Sequence, residues 1–152
     1  MSEPETGEDS FEGAKIAILR GDQVLCLQRD DRSEIPFPGA WDLPGGGREG
    51  RETPLETVTR ELHEELGLYL DPARIIYQRC EAGGRAPQDR VHFFVARWED
   101  LSDCLIRLGD EGQGWAWFDL ADFLHCAEAV PPLRDRLARF VASEEGFQAR
   151  VR

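Results

Sequence analysis

The order of helical and extended patterns predicts an α/β fold in which a mixed sheet lies between helices. Three observations carry this expectation. Two β-like runs open the chain, and further runs follow its middle. One amphipathic helix separates them, and a second follows a proline pair near the end. With 152 residues the chain is long enough for one domain with a substantial core. Residues 11–152 are expected to form it. Residues 1–10 carry four acids, one proline and no base, and read as a disordered acidic tail.

In chain order, the runs from Ala14 to Leu19 and from Val24 to Gln28 are joined through Gly21 and Asp22, the pattern of a hairpin. A charged, proline-bearing loop reaches Gly39, with Asp30, Asp31, Arg32 and Glu34 read as a solvated run. A short strand from Trp41 to Leu43 then enters Pro44-Gly45-Gly46-Gly47, read as a turn with exposed backbone groups. Thr53, Pro54 and Glu56 make a helix start: an N-cap, a proline at the first helical position and an acid in the first turn. Leu55, Val58 or Thr59, Leu62 and Leu66 supply the apolar stripe, and Gly67 the stop. Strands are expected from Ile75 to Cys80, from Val91 to Trp98 and from Trp115 to Phe118. A helical turn follows from Asp119 to Leu124. The final helix is marked by Leu133, Leu137, Phe140 and Val141.

Hydrophobic residues make up 41% and charged residues 32%, a soluble globular balance, and no apolar run approaches the length of a membrane span. The start lacks the basic and apolar regions of a secretory signal, so the cytoplasm is the expected compartment. Cys26, Cys80, Cys104 and Cys126 form no Cys-x-x-Cys pair and read as free, largely buried thiols. A formal charge of −12 argues against a nucleic-acid polymer as partner, because phosphate-backbone binding needs a basic stripe. An acidic chain that binds a small anion must supply metal ions or local arginines.

The first helix presents such a place. Glu61, Glu64 and Glu65 stand three and four residues apart, on one helical face, with no Lys or Arg between them. At about 5 Å in water each repulsion costs roughly 0.8 kcal/mol, and more when desolvated. A helix that keeps them together points to a cation among them, and oxygen ligands shared with substrate phosphates suit Mg²⁺.

Gly46, then Glu52, then Arg60-Glu61-Leu62-x-Glu64-Glu65-x-Gly67-Leu68, at these spacings, resembles the Nudix box at every defined position. The upstream Gly39-x-Trp41-Asp42-Leu43-Pro44-Gly45 resembles the same family's surroundings. The resemblance implies a Nudix-like α-β-α sandwich with a central mixed sheet. It implies Mg²⁺-dependent hydrolysis, with Mn²⁺ as a substitute, of a nucleoside diphosphate linked to another group. By position it implies Glu61, Glu64 and Glu65 as metal ligands, the Gly45 carbonyl as a main-chain ligand, and Arg60 with Glu52 as a pair that aims the glutamates. Glu111, in a Glu-Gly-Gln run, resembles a MutT-branch loop glutamate that reaches the metal site, as ligand or base; Asp110 is its fallback. Arg29, directly after a strand, is a candidate phosphate contact. His63 falls off the glutamate face and reads as a surface residue. Trp41, Phe93, Phe94, Trp98 and Trp117 read as core, with one of them available to stack on a base.

The branch signatures differ. The proline of the ADP-ribose branch is expected where this chain has Gly83 and Gly84, with Pro87 later. The tyrosine of the diadenosine polyphosphate branch is expected where it has Gly84, Arg85 and Ala86. The Glu-Gly-Gln loop and the Pro131-Pro132 pair resemble MutT, but Arg134 stands where MutT carries a base-reading asparagine, so Arg134 is a candidate substrate contact and 8-oxoguanine is not implied. The expected reaction is Mg²⁺-dependent conversion of a (deoxy)nucleoside triphosphate to monophosphate and pyrophosphate. The alternatives are an ADP-ribose or nucleotide-sugar pyrophosphatase and, from another class, a nucleotide-sensing domain without hydrolysis.

Overall fold

The computed structural model describes residues 10–83, 86 and 88–143. The expected acidic tail falls almost wholly outside them. Ten elements place the site: β1 (Gly13–Arg20), β2 (Gln23–Gln28), β3 (Trp41–Asp42), β4 (Gly45–Gly47), α1 (Pro54–Leu66), β5 (Ile75–Ala82), β6 (Arg90–Arg97), β7 (Gly114–Asp119), α2 (Leu120–Leu124) and α3 (Pro131–Ala142). Two 3-10 turns, Pro72–Arg74 and Asp103–Leu105, complete the order and were not foreseen.

The sheet is mixed, as expected. Its strands run β3-β2-β1-β6-β5, with β4 beside β1 and β7 beside β2. β1 pairs with β6 in parallel and with β2 and β4 antiparallel. Because successive side chains of a strand point to opposite faces, both faces of β1 and β6 are apolar and both are covered. Ile16, Ile18, Phe94 and Ala96 meet Val58, Leu62 and Leu66 of α1. Ala17, Leu19, Phe93 and Val95 meet Leu133, Leu137 and Phe140 of α3 and Phe123 of α2. Each fully buried leucine of α1 contributes about 1.5–3 kcal/mol, so this face fixes the helix and leaves its acidic face no freedom of rotation. No helix among the described residues is long and apolar enough to cross a membrane.

Two expectations are corrected here. Gly45–Gly47 is a strand paired with β1, not an open turn. The glycines allow the strands an approach no side chain permits: a Cβ on Gly45 would fall 2.1 Å from Ala14 O, and one on Gly13 2.4 Å from Gly46 O. The thiols are all free, but only Cys26 is buried; Cys80 and Cys104 are exposed, because they sit on a sheet-edge strand and in a surface 3-10 turn. Of the aromatic candidates, Phe93, Phe94 and Trp98 are core. Trp41 packs edge-on against Phe118, and Trp117 carries the Arg20 guanidinium on its ring.

Candidate active site

The start of α1 is fixed by its sequence. The Thr53 hydroxyl accepts from Glu56 N and the Glu56 carboxylate accepts from Thr53 N, so two otherwise unpaired amides are satisfied, and Pro54 costs the helix no hydrogen bond. With the leucine face in the core, Glu61 and Glu65 turn toward β4 while Glu64 remains largely in solvent. A Cβ on Gly46 would lie 2.6 Å from the Glu61 carboxyl carbon, so the glycine gives that carboxylate its space. Gly45 N donates to Glu65 Oε1 at 2.7 Å.

Arg60 organises the outer half of the patch. Its Nε donates to Glu52 Oε2 at 2.8 Å, its Nη2 to Glu52 Oε1 at 3.1 Å and to Gly47 O at 2.8 Å. Its Nη1 donates to Glu61 Oε1 at 2.9 Å and Glu64 Oε2 at 3.2 Å. Glu52 also accepts from Thr57 Oγ1 and Glu49 N. The expected Glu52–Arg60 pair is present and ties β4 to α1. Arg60 also supplies the glutamates with a cation from the protein: it sits beside Glu61 in sequence, and its long side chain reaches i+1 and i+4. Hydrogen bonds from Arg60 hold the Glu52 carboxyl far below the ordinary range, down to about 2.

The inner half is drier. Burial pushes Glu65 up to about 8, a rise that Lys15 and the Gly45 amide oppose and Glu61 and Asp42 reinforce. Lys15 Nζ lies 3.1 Å from both oxygens of Asp42 and 3.2 Å from Leu43 O and Gly45 O. Arg29 Nη1 joins the same Asp42 at 2.9 Å, and its Nε donates to Pro36 O. Lys15 and Asp42 were missed in the sequence. Each is a lone charge inside an otherwise apolar strand, and a buried charge requires a partner, which was the available signal.

The loop before β7 closes the site. Arg107 N donates to Leu66 O and Gly109 N to Glu65 O, both at 2.9 Å, so carbonyls at the end of α1 are satisfied by this loop. Gly109 must be glycine, since a Cβ would fall 2.2 Å from Glu64 O. Beyond it, Gln113 N donates to Gln28 O and Gly112 N to Asp30 Oδ1. Asp30 therefore anchors the loop, which corrects its reading as part of a merely solvated run. Glu61, Glu64, Glu65, Asp110 and Glu111 line one cavity of about 360 Å³. Glu65 and Glu111 also line an adjoining cavity of about 140 Å³ with Arg29, Asp30, Arg32 and Asp42. The structure thus brings Glu111 and Arg29 to the glutamates. It does not bring Arg134 there: that half-buried side chain on α3, whose Nε has no partner, lines neither cavity. His63 is exposed and stacks on Tyr69. Gly84, Arg85 and Pro87, which bear on the branch signatures, lie outside the described residues.

The side chains that line the larger cavity are all carboxylates, an oxygen donor set that fits a hard divalent cation and not a soft thiolate site. The desolvated Glu65 carboxyl, disfavoured as an anion by the protein alone, is the group such a cation would most relieve. Among the described residues no three His, Cys, Asp or Glu side chains stand close enough together to hold an ion as they lie. Glu61 and Glu64 are turned to Arg60, and the Gly45 carbonyl accepts from Lys15.

Comparison with known proteins shows what the whole chain is similar to. The profile described as NUDIX domain matches residues 10–141. A nucleoside triphosphatase, NudI of Escherichia coli, is 31% identical over 118 residues, covering 69% of this chain and 78% of the relative. The crystal structure of the MutT protein from Methanosarcina mazei Go1 superposes with a TM-score of 0.68 at 26% identity, over 89% of this chain and 96% of that one. A MutT NUDIX hydrolase from Burkholderia pseudomallei gives 0.62 at 27% identity, over 83% and 94%.

Proposed function

The chain belongs to the Nudix hydrolase family, MutT-like in its likeness to known proteins, and from that premise we propose that it converts (deoxy)nucleoside triphosphates to monophosphates and pyrophosphate with Mg²⁺. It is a pyrophosphohydrolase of nucleoside phosphate anhydrides. The observation that carries the finer reading is the shared lining of two adjoining cavities by Glu65 and Glu111, carboxylates on one side and Arg29 on the other. Glu61, Glu64, Glu65 and Glu111 would hold the cation, with the Gly45 carbonyl available once Lys15 gives it up. When bound, the cation neutralises the phosphate chain and lowers the pKa of the attacking water.

The protein's own residues do the rest. Arg60 positions Glu61 and Glu64, and its Nη2 hydrogen bond to Gly47 O keeps β4 at a fixed distance from α1. Arg29 supplies a fixed cation at the mouth of the smaller cavity, where a phosphate oxygen would sit, and Asp42 keeps it aimed. The Glu111 carboxylate is placed to orient or deprotonate water at the same cavity. Its loop is held from both sides, so its position costs little reorganisation at the moment of reaction.

The test is a product assay with the full chain and millimolar Mg²⁺ over triphosphates, 8-oxo forms, ADP-ribose, sugar nucleotides and dinucleotides. Equimolar monophosphate and pyrophosphate from a triphosphate is the expected result. Preference for ADP-ribose over every triphosphate rejects the proposal. Absence of turnover on all of them, with no Mg²⁺-dependent rise in melting temperature, replaces it with the sensing reading.

A further inference from the structure

A third cavity, of about 340 Å³, lies at β4 and the start of β1, on the side where α3 packs. Gly13, Ala14, Val91, Gly46 and Gly47 line it with small residues. Into this lining comes Arg136, whose residue is only 9% exposed. Among the described residues it makes no ion pair, and its one hydrogen bond runs from Nη2 to Ala82 O at 3.1 Å. The acid of that neighbourhood, Glu81, is taken by Arg139 at 2.6 Å and Arg79 at 3.4 Å. A guanidinium has five N–H donors and no acceptor, and with a single bond to Ala82 O the donors left over are open to an acceptor that enters the cavity.

Two facts decide what kind of acceptor. Glu12 and Asp89 line the same cavity, and Lys15, also in its lining, is committed to Asp42 at 3.1 Å. A phosphate would face two carboxylates against one uncommitted cation, which disfavours it. A neutral ring with acceptor groups suits both the small-residue lining and a donor-only side chain. We infer that this cavity is a nucleobase subsite in which Arg136 reads a ring carbonyl, so that guanine, uracil and thymine are preferred to adenine and cytosine. The two disfavoured bases present an amino group where the others carry that carbonyl, and donor against donor leaves both unsatisfied. Glu12 and Asp89 are then placed to accept from the ring N–H that accompanies the carbonyl. The inference rests on the nucleotide-hydrolase reading. It replaces Arg134, singled out by its spacing from the proline pair, with the neighbour one half-turn on that faces a cavity.

The test measures binding of GMP, UMP, AMP and CMP to the full chain by calorimetry in Mg²⁺, beside turnover of the four triphosphates. Wild-type protein should bind GMP and UMP roughly ten- to a hundredfold more tightly than AMP and CMP. Arg136→Gln should remove that preference with AMP affinity changed by less than about threefold. Arg136→Lys keeps a donor-only cation, and should retain part of the preference that Arg136→Gln removes. An equal loss for all four monophosphates, or no change, overturns the inference, as does a wild-type protein that binds all four alike. Base-selective binding without any triphosphate turnover rejects the hydrolase reading and leaves the subsite standing. Triphosphate turnover without base preference does the reverse.

Discussion

Glu65 is bonded to β4 directly and Glu52 is linked to it through Arg60, and the structure treats the two glutamates in opposite ways. Glu52 receives both Arg60 nitrogens, a threonine hydroxyl and a backbone amide, and is driven to about 2. Glu65 receives one backbone amide, is desolvated, and is driven to about 8. The outer end of the patch is satisfied by the protein itself, which suits the positioning role proposed for it. The inner end is left short of counter-charge, and that is where a cation has most to offer. The two carboxylates therefore differ because hydrogen bonds from Arg60 dominate at Glu52 and desolvation dominates at Glu65.

The largest effect is expected at the inner end. Glu65→Gln should lower turnover by at least about a hundredfold in Mg²⁺. The same variant should melt no lower than wild type in metal-free buffer at pH 8, because it removes a disfavoured anion. Normal turnover would remove Glu65 from the site. At the outer end, Arg60→Gln should cost roughly ten- to a hundredfold in turnover and lower the melting temperature by several degrees, since Glu52, Glu61 and Glu64 are then left together without it. If turnover falls while calorimetric Mg²⁺ affinity and melting temperature both stay at wild-type values, Arg60 acts on substrate and is not a positioning residue.

A smaller effect is the melting shift. Mg²⁺ at ten to a hundred times its dissociation constant adds about 1.4–2.7 kcal/mol, a rise of a few degrees, and Glu65→Gln should reduce it. The pH profile separates the two glutamates by sign. Glu65 is raised when folded, so its contribution is full below the unfolded value near 4.5 and is lost as pH climbs through about 8. Glu52 is depressed, so its contribution is present above about 4.5 and is lost as pH falls toward about 2. Metal-free melting curves should show a downward slope from pH 5 to 8 that Glu65→Gln flattens, and an acid limb that Glu52→Gln shortens. Identical profiles for the three proteins would abolish the contrast.

What was legible in the sequence follows the reach of local rules. The capped helix, its leucine stripe, its Gly67 stop and the expected strands are written in neighbouring residues, and the structure has them. The box spacing also placed Glu61, Glu64, Glu65, Glu52 and Arg60 together. Glu111 reached the same cavity through resemblance, not spacing. Three kinds of fact were illegible. Gly45–Gly47 read as a turn because the composition of a turn and of a strand squeezed against β1 is the same. The Lys15–Asp42 pair joins residues far apart in sequence, so only the sheet reveals it. Arg136 rather than Arg134 lines the third cavity because a two-residue step on α3 changes the face presented.

The attachment of the loop before β7 to the last turn of α1 bears on transplantation. Two backbone bonds, to Leu66 O and Glu65 O, anchor the segment two residues or fewer from Asp110 and Glu111. The glutamate helix moved alone to another scaffold would arrive with unpaired terminal carbonyls and without its opposing acids. The smallest portable unit is two pieces of chain: the helix with its preceding glycine strand, and residues 107–113 docked on its end, with Gly109 retained because nothing larger fits against Glu64 O.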